Sequence, residues 1–74
     1  MATSDVKSEV TGSVWKIVTV VGQKLEPGDT IMIIESMKME IPVNAPAAGR
    51  VARVHVSEGD TVQEGQLLVE LESA

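Results

Sequence analysis

Six glycines, spaced as three pairs, constrain the fold of this 74-residue chain more than any other feature. The members of each pair are 37 positions apart: Gly12 with Gly49, Gly22 with Gly59, and Gly28 with Gly65. When residues 12–36 are placed on residues 49–73 without a gap, six of 25 positions are identical. Self-similarity at a fixed offset indicates repeated structural units. The sequence therefore predicts one domain with two copies of a unit and an internal pseudo-two-fold symmetry.

Each copy has the composition and spacing of β-strands. Residues 13–21 and 50–57 are rich in β-branched side chains, which strands favour. In both stretches the inward set advances by three positions and then by two, as in Val14, Ile17 and Thr19, which interrupts the alternation of a regular strand. We therefore expect a β-bulge near Lys16 and another near Arg53.

Turns and further strands follow in each copy. Gly22 with Gly28, and Gly59 with Gly65, lie six residues apart, and we expect positive φ at these turn glycines. Strands are predicted at 30–36 and 67–73. In the second of these, Glu70 and Glu72 should face solvent, with Leu67, Val69 and Leu71 inside. The first has apolar residues at both parities, so its two faces cannot be told apart.

The domain boundaries follow from the repeat. Residues 1–8 are polar and have no periodicity, which predicts a flexible tail. The domain is expected to cover 9–74, with the halves 12–36 and 49–73 joined by a hairpin segment, 37–48.

The chain must reverse at Met37 and Lys38 between two predicted strands. A two-residue hairpin turn needs positive φ and normally takes glycine, asparagine or aspartate. Because neither residue is of that kind, a functional constraint is the better explanation. Adding 37 to Lys38 gives 75, one position past the last residue, so the symmetry mate of this turn is the chain terminus. We therefore expect Lys38 at the end of the domain opposite the termini.

The sequence around this lysine, Glu35-Ser36-Met37-Lys38-Met39, resembles the attachment motif of biotinyl carrier domains. The resemblance extends from about Gly12 to Leu71 and includes the segment Ala45-Pro46-Ala47-Ala48-Gly49. It implies an all-β fold, a flattened barrel or sandwich of two four-stranded antiparallel sheets (a barrel-sandwich hybrid). The two turns differ in sequence, since Gln23 stands where the second copy has Asp60.

The resemblance also implies a function. A biotin protein ligase would attach biotin to Lys38, with Met37 and Met39 as flanking recognition residues and Glu35 and Glu40 orienting partners. A biotin carboxylase would load the biotin with carboxylate, and a carboxyltransferase would pass it on. An acyl-CoA carboxylase such as acetyl-CoA carboxylase, in fatty acid biosynthesis, is the expected setting. The chain itself would be a non-catalytic carrier.

Composition excludes several other classes. Trp15 is the only aromatic residue and the formal charge is −5, so nothing favours nucleic-acid binding. No apolar run approaches the roughly 20 residues that cross a bilayer, and the start lacks the pattern of a signal peptide. We expect a cytoplasmic protein, monomeric in isolation, without membrane association.

His55 has no second histidine or cysteine to form a metal site, so a structural role is expected. Trp15 is expected to serve packing, and Pro42 to mark an edge strand.

Alternatives remain at several positions. Lys38 could instead carry lipoate, although lipoyl domains usually have alanine after the lysine. The chain could also be an unmodified adaptor module. The methionines could be ordinary core residues, and the two glutamates a solvated acidic rim. A self-contained enzyme is the weakest alternative, since the sequence offers no nucleophile with a base and no metal constellation.

Overall fold

The computed structural model describes residues 3–73, and the regular secondary structure in that range consists of strands. Two four-stranded antiparallel sheets result, which confirms the predicted fold class. The strands are β1 (Thr3–Lys7), β2 (Gly12–Ile17), β3 (Lys24–Leu25), β4 (Thr30–Ser36), β5 (Met39–Asn44), β6 (Gly49–Val54), β7 (Thr61–Val62) and β8 (Leu67–Ser73).

The two sheets are related by the repeat. One sheet, here called the terminal sheet, has the order β1-β8-β6-β3; the other, called the hairpin sheet, has the order β5-β4-β2-β7. A shift of 37 residues takes β2 to β6, β3 to β7 and β4 to β8, so each sheet is the counterpart of the other. The described residues measure 36 × 17 × 17 Å. A seven-residue strand spans about 23 Å, which is more than the 17 Å of the two short axes. The long strands must therefore be inclined toward the long axis.

Strand β1 corrects one prediction. Thr3 pairs with Glu72 and Val6 with Val69 along the edge of the terminal sheet, and Val6 is buried. The prediction of a flexible tail is therefore wrong for residues 3–8, while residues 1 and 2 lie outside the described range. A shift of 37 places β1 on β5, so the repeat begins before Gly12. A single identity, Val6 with Val43, marks this extension in the sequence, and β1 is ordered by its pairing with a strand 60 residues away.

Both predicted bulges are confirmed. The register shifts between Val14 and Lys16 in β2, and between Val51 and Arg53 in β6. Trp15 is the extra residue of the first bulge, and 49% of it is exposed. The bulge turns this side chain outward with Lys16, so only about half of the tryptophan is covered and its packing is less complete than expected.

The core is aliphatic and receives matching residues from both copies. Val69 and Leu71 are buried as predicted, while Leu67 is only partly buried. Leu68 is also buried, which the alternation missed. Val6 pairs with Val69 and Lys7 with Leu67, so Leu68 is skipped in the pairing and turns inward. The largest fully buried side chains are Leu25, Ile31, Met32, Ile34, Leu68, Val14, Val51, Val62 and Val69.

The glycine turns have the predicted backbone geometry. Gly22, Gly28, Gly59 and Gly65 all have φ between 86° and 92°. The first turn matches the second despite its different residue: the Gln23 side-chain oxygen accepts a hydrogen bond from Val20 N at 3.2 Å. In the second copy the Asp60 carboxylate accepts one from Ser57 N at 2.8 Å. An amide oxygen therefore replaces a carboxylate oxygen without changing the turn.

Candidate functional site

A two-residue turn joins β4 to β5 and carries the predicted site. Met37 has φ 52° and Lys38 has φ 64°, so both lie in the left-handed region, as the hairpin prediction required. Ser36 and Met39 pair on either side of the turn. Left-handed backbone costs an ordinary L-residue roughly 1–2 kcal/mol. Two such residues at one tip indicate that the side chains were not selected for turn stability.

The side chains at this tip are open to solvent. Met37 is 92% exposed and Met39 is 60% exposed, and Lys38 is exposed between them. The alternative that these methionines are core residues is therefore wrong; Met32, which is fully buried, has that role. Within residues 3–73, neither an ion pair nor a side-chain hydrogen bond involves the Lys38 ammonium group. No ion pair or hydrogen bond with the described residues would therefore have to break before this amine reacts.

Two glutamates lie directly below the tip. Glu35 and Glu40 are exposed and stand opposite each other on β4 and β5. Like charges at directly opposite positions destabilise a sheet. On its other side Glu35 faces Ser13, whereas its repeat mate, Glu72, faces Arg50. The negative charge of Glu35 is therefore not offset by a basic residue across the sheet, as that of Glu72 is. The pair of Glu35 and Glu40 also lies close to the candidate lysine.

The base of the hairpin is fixed by contacts that the sequence reasoning did not single out. The Ser36 hydroxyl donates a hydrogen bond of 2.8 Å to the Thr11 carbonyl. A Cβ on Gly12 would collide with the Glu35 carbonyl oxygen, so β2 and β4 approach closely here. The identities of Ser36 with Ser73 and Gly12 with Gly49 were the available signals for this support. The turn is thus held from below while its tip is exposed.

The hairpin and the first and last described residues lie at opposite ends of the domain. Thr3 pairs with Glu72 at the start of β1, and β1 then runs away from that end toward Ser8 and Thr11. Thr11 is the residue whose carbonyl binds Ser36 beside the turn. The length of β1 therefore separates the chain ends from Lys38, as expected from the symmetry.

Other candidate groups have structural partners. His55 Nε2 lies 2.7 Å from the Glu70 carboxylate, and Arg53 Nε lies 3.9 Å from the same carboxylate. Glu70 is thus only partly exposed and faces outward toward two basic side chains. In the described range no group of three or more His, Cys, Asp or Glu side chains could hold a metal ion. The described residues also include no helix of the length and hydropathy that a membrane span requires.

Comparisons with known proteins agree on the family. A profile described as "Biotin-requiring enzyme" matches residues 1–71. A biotinylated protein homologue of Mycobacterium leprae is 47% identical over 64 residues, covering 86% of this chain and 90% of that protein. Pyruvate carboxylase of Bacillus subtilis is 42% identical over 71 residues, covering 96% of this chain. Urea carboxylase of Kluyveromyces lactis superposes with a TM-score of 0.91 at 38% identity, covering 96% of this chain and 6% of that chain.

These matches show the family to which the chain belongs. It is a member of the family of biotin-requiring enzymes and shares its two-sheet fold with part of the urea carboxylase. The chain spans only 6% of the length of the pyruvate carboxylase that it matches. Nearly the whole of the mycobacterial protein, in contrast, is matched.

Proposed function

We propose that this domain is a biotin carboxyl carrier and that Lys38 is its attachment residue. The observation that carries the proposal is an exposed lysine, without an ion-pair or hydrogen-bond partner among residues 3–73, on a two-residue turn whose backbone disfavours both residues in it. A turn selected for stability alone would have asparagine and glycine there. Membership in the family of biotin-requiring enzymes supports biotin as the attached group.

The residues at the tip fit an amide-linked group. Lys38 Nζ, after it loses a proton to the ligase active site, can form an amide bond with an activated biotin carboxyl, whose leaving group departs. Acylation would remove one positive charge and take the formal charge of the chain from −5 to about −6. Within residues 3–73 no side chain forms an ion pair or a hydrogen bond with the Lys38 amine, so the ligase must supply the base.

The chain would hold and present the group. Bound biotin would supply a ring nitrogen that accepts a carboxyl group at one active site and releases it at another. The lysine side chain and the exposed turn extend that ring away from the sheets, and tethering raises its effective concentration at both sites. The partners would be a biotin protein ligase, a biotin carboxylase and a carboxyltransferase, with no catalytic residue from this domain.

The decisive experiment is intact-mass analysis and streptavidin blotting of protein co-expressed with an active biotin ligase. Wild type should gain one biotinyl group, and Lys38→Arg should gain none. Lys24→Arg is a matched control, because Lys24 is also exposed and lies in a short strand. Unmodified wild type, or biotin on Lys38→Arg, would refute the proposal. A lipoyl mass on wild type would support the alternative carrier.

The acyl-CoA acceptor stays a prediction. Pyruvate carboxylase and urea carboxylase, as named, both contain a domain similar to this chain. The domain is loaded with labelled carboxylate, and the rate of its transfer is measured to an acyl-CoA, to a keto acid and to urea, each with the enzyme that uses that acceptor. The three rates are then compared. Preferred transfer to pyruvate or urea would refute the acyl-CoA prediction and leave the carrier proposal in place.

A further inference from the structure

The outer faces of the two sheets differ although the repeat relates them. On the terminal sheet, Glu70 lies between Asp5 on β1 and Arg53 on β6, and His55 also contacts it. This row is polar, and its central carboxylate has two basic partners. Such a row is typical of a surface that faces water.

The equivalent row of the hairpin sheet has apolar residues at two of its three positions, and an exposed tryptophan lies beside it. Ile33 takes the place of Glu70 and lies between Pro42 on β5 and Lys16 on β2. Trp15, beside Lys16 in the bulge, takes the place of Ala52 and is 49% exposed. Pro42 is exposed as well, and Ile33 is partly exposed. We call Trp15, Ile33 and Pro42 the apolar row.

The apolar row is continuous with the acidic pair and the hairpin tip. Glu35 is two residues from Ile33 on β4, and Glu40 is two residues from Pro42 on β5, so they share the outer face of the sheet. They lie between the apolar row and the turn. Pro42 is three residues from Met39, which is about 10 Å along β5. An interface of standard size covers about 800 Å² on each partner, a patch about 28 Å across. A protein that engages the tip in such an interface therefore has room to cover the apolar row.

We propose that the apolar row, together with Glu35 and Glu40, is the surface through which the enzyme that acylates Lys38 holds this domain. That enzyme must bring the bare amine to its own reacting atoms, so it must approach the sheet more closely than an enzyme that is reached through the lengthened arm. It would present an apolar recess for Trp15 and basic side chains opposite the glutamates. A second acidic copy of this chain lacks that charge complementarity.

The test uses substitutions that the other copy already contains. The double variant Trp15→Ala and Ile33→Glu installs the residues found at positions 52 and 70. The control, Val20→Ser and Val21→Glu, installs those of positions 57 and 58 and also adds one negative charge. Val20 and Val21 are 69% and 63% exposed, so the control also removes exposed apolar side chains. Their loop leads into Gly22, which bonds to Val51 near the chain ends, so the control lies away from Lys38.

The measurement is the rate of biotin incorporation by purified ligase at substrate concentrations below KM. We expect kcat/KM to fall about tenfold in the apolar-row variant, which corresponds to about 1.4 kcal/mol, and to change less than twofold in the control. The added glutamate strengthens attraction to a basic partner, so a fall in rate would report the lost apolar contact. Circular dichroism and thermal unfolding of each variant show whether it is folded.

Several outcomes would overturn the inference, which rests on the proposed function. An unchanged rate in a folded apolar-row variant would do so, as would an equal fall in the control. Loss of a dimer in the variant, seen by sedimentation, would assign the apolar row to a second copy instead. Normal biotinylation with slower carboxylation would assign it to a carboxylase. Wild type that accepts no biotin at all would refute the proposed function itself.

Discussion

Replacing Met37 by asparagine should stabilise the fold and impair its modification. Met37 has φ 52°, a conformation that asparagine adopts more readily than methionine because its short side chain can bond to the local backbone. Met37 is 92% exposed, so the substitution removes almost no buried apolar surface. The effect on stability should therefore come mainly from the backbone of the turn.

The expected gain follows from the cost of this conformation. An L-residue in left-handed backbone costs roughly 1–2 kcal/mol, and asparagine relieves a large part of that. We expect Met37→Asn to raise the free energy of unfolding by about 1 kcal/mol. For a domain of this size, that change corresponds to a Tm increase of about 4–8 °C.

Thermal unfolding followed by circular dichroism measures this directly, with Met39→Asn as the matched control. Met39 is also exposed but lies in β5 and does not have positive φ, so asparagine there should leave Tm unchanged or lower it. An unchanged Tm in Met37→Asn, or an equal rise in both variants, would refute the account of the turn. On the proposed function, Met37→Asn should also slow biotin incorporation. A stabilised variant that is modified at the normal rate would show that methionine is not retained for recognition.

Three further tests address the packing of the two sheets and the charge beside the turn. Gly12→Ala should lower the free energy of unfolding in urea by about 2 kcal/mol, because its Cβ would collide with the Glu35 carbonyl; a change below about 0.5 kcal/mol would contradict that approach. Val6→Ala should lower the free energy of unfolding by about 2 kcal/mol in the same assay, while Asp5→Ala, on the exposed side of β1, should lower it by less than about 0.5 kcal/mol. Equal effects would show that β1 does not pack against the core. Glu35→Lys should raise stability by up to about 0.5 kcal/mol at low salt, because it places opposite charges across from Glu40, and should slow biotin incorporation; a loss of stability would contradict the repulsion.

The parts of the fold that the sequence predicted depend on strict local requirements. Positive φ at Gly22 and Gly59 excludes most side chains, so these turn positions stay visible in the sequence. The two-residue turn at Met37 and Lys38 followed from the need to connect two strands. Given that turn, the pairing of residues 35 and 40 follows by counting outward.

The parts that were missed depend on distant partners. Strand β1 is ordered because β8 supplies its hydrogen-bonding partners and the core receives Val6. In the sequence, only the identity of Val6 with Val43 points to this strand. The direction of Trp15 was missed for a related reason. A bulge places two residues opposite one, and the spacing locates the bulge without showing that the tryptophan turns outward. Comparison of outward positions between the copies could have flagged Trp15, because Ala52 stands at the equivalent place.

The pairing of Thr3 with Glu72 has a geometric consequence for any longer polypeptide that includes this domain. Because the first and last strands meet at one end, a linker joined to either strand would leave the domain from nearly the same point. The domain could then pivot about that point as a rigid body. The described residues extend 36 Å along the long axis, so Lys38 would move on an arc with a radius of that order. Linker length would set where the pivot lies, while the stiffness of the two sheets would set how far from it the lysine is carried.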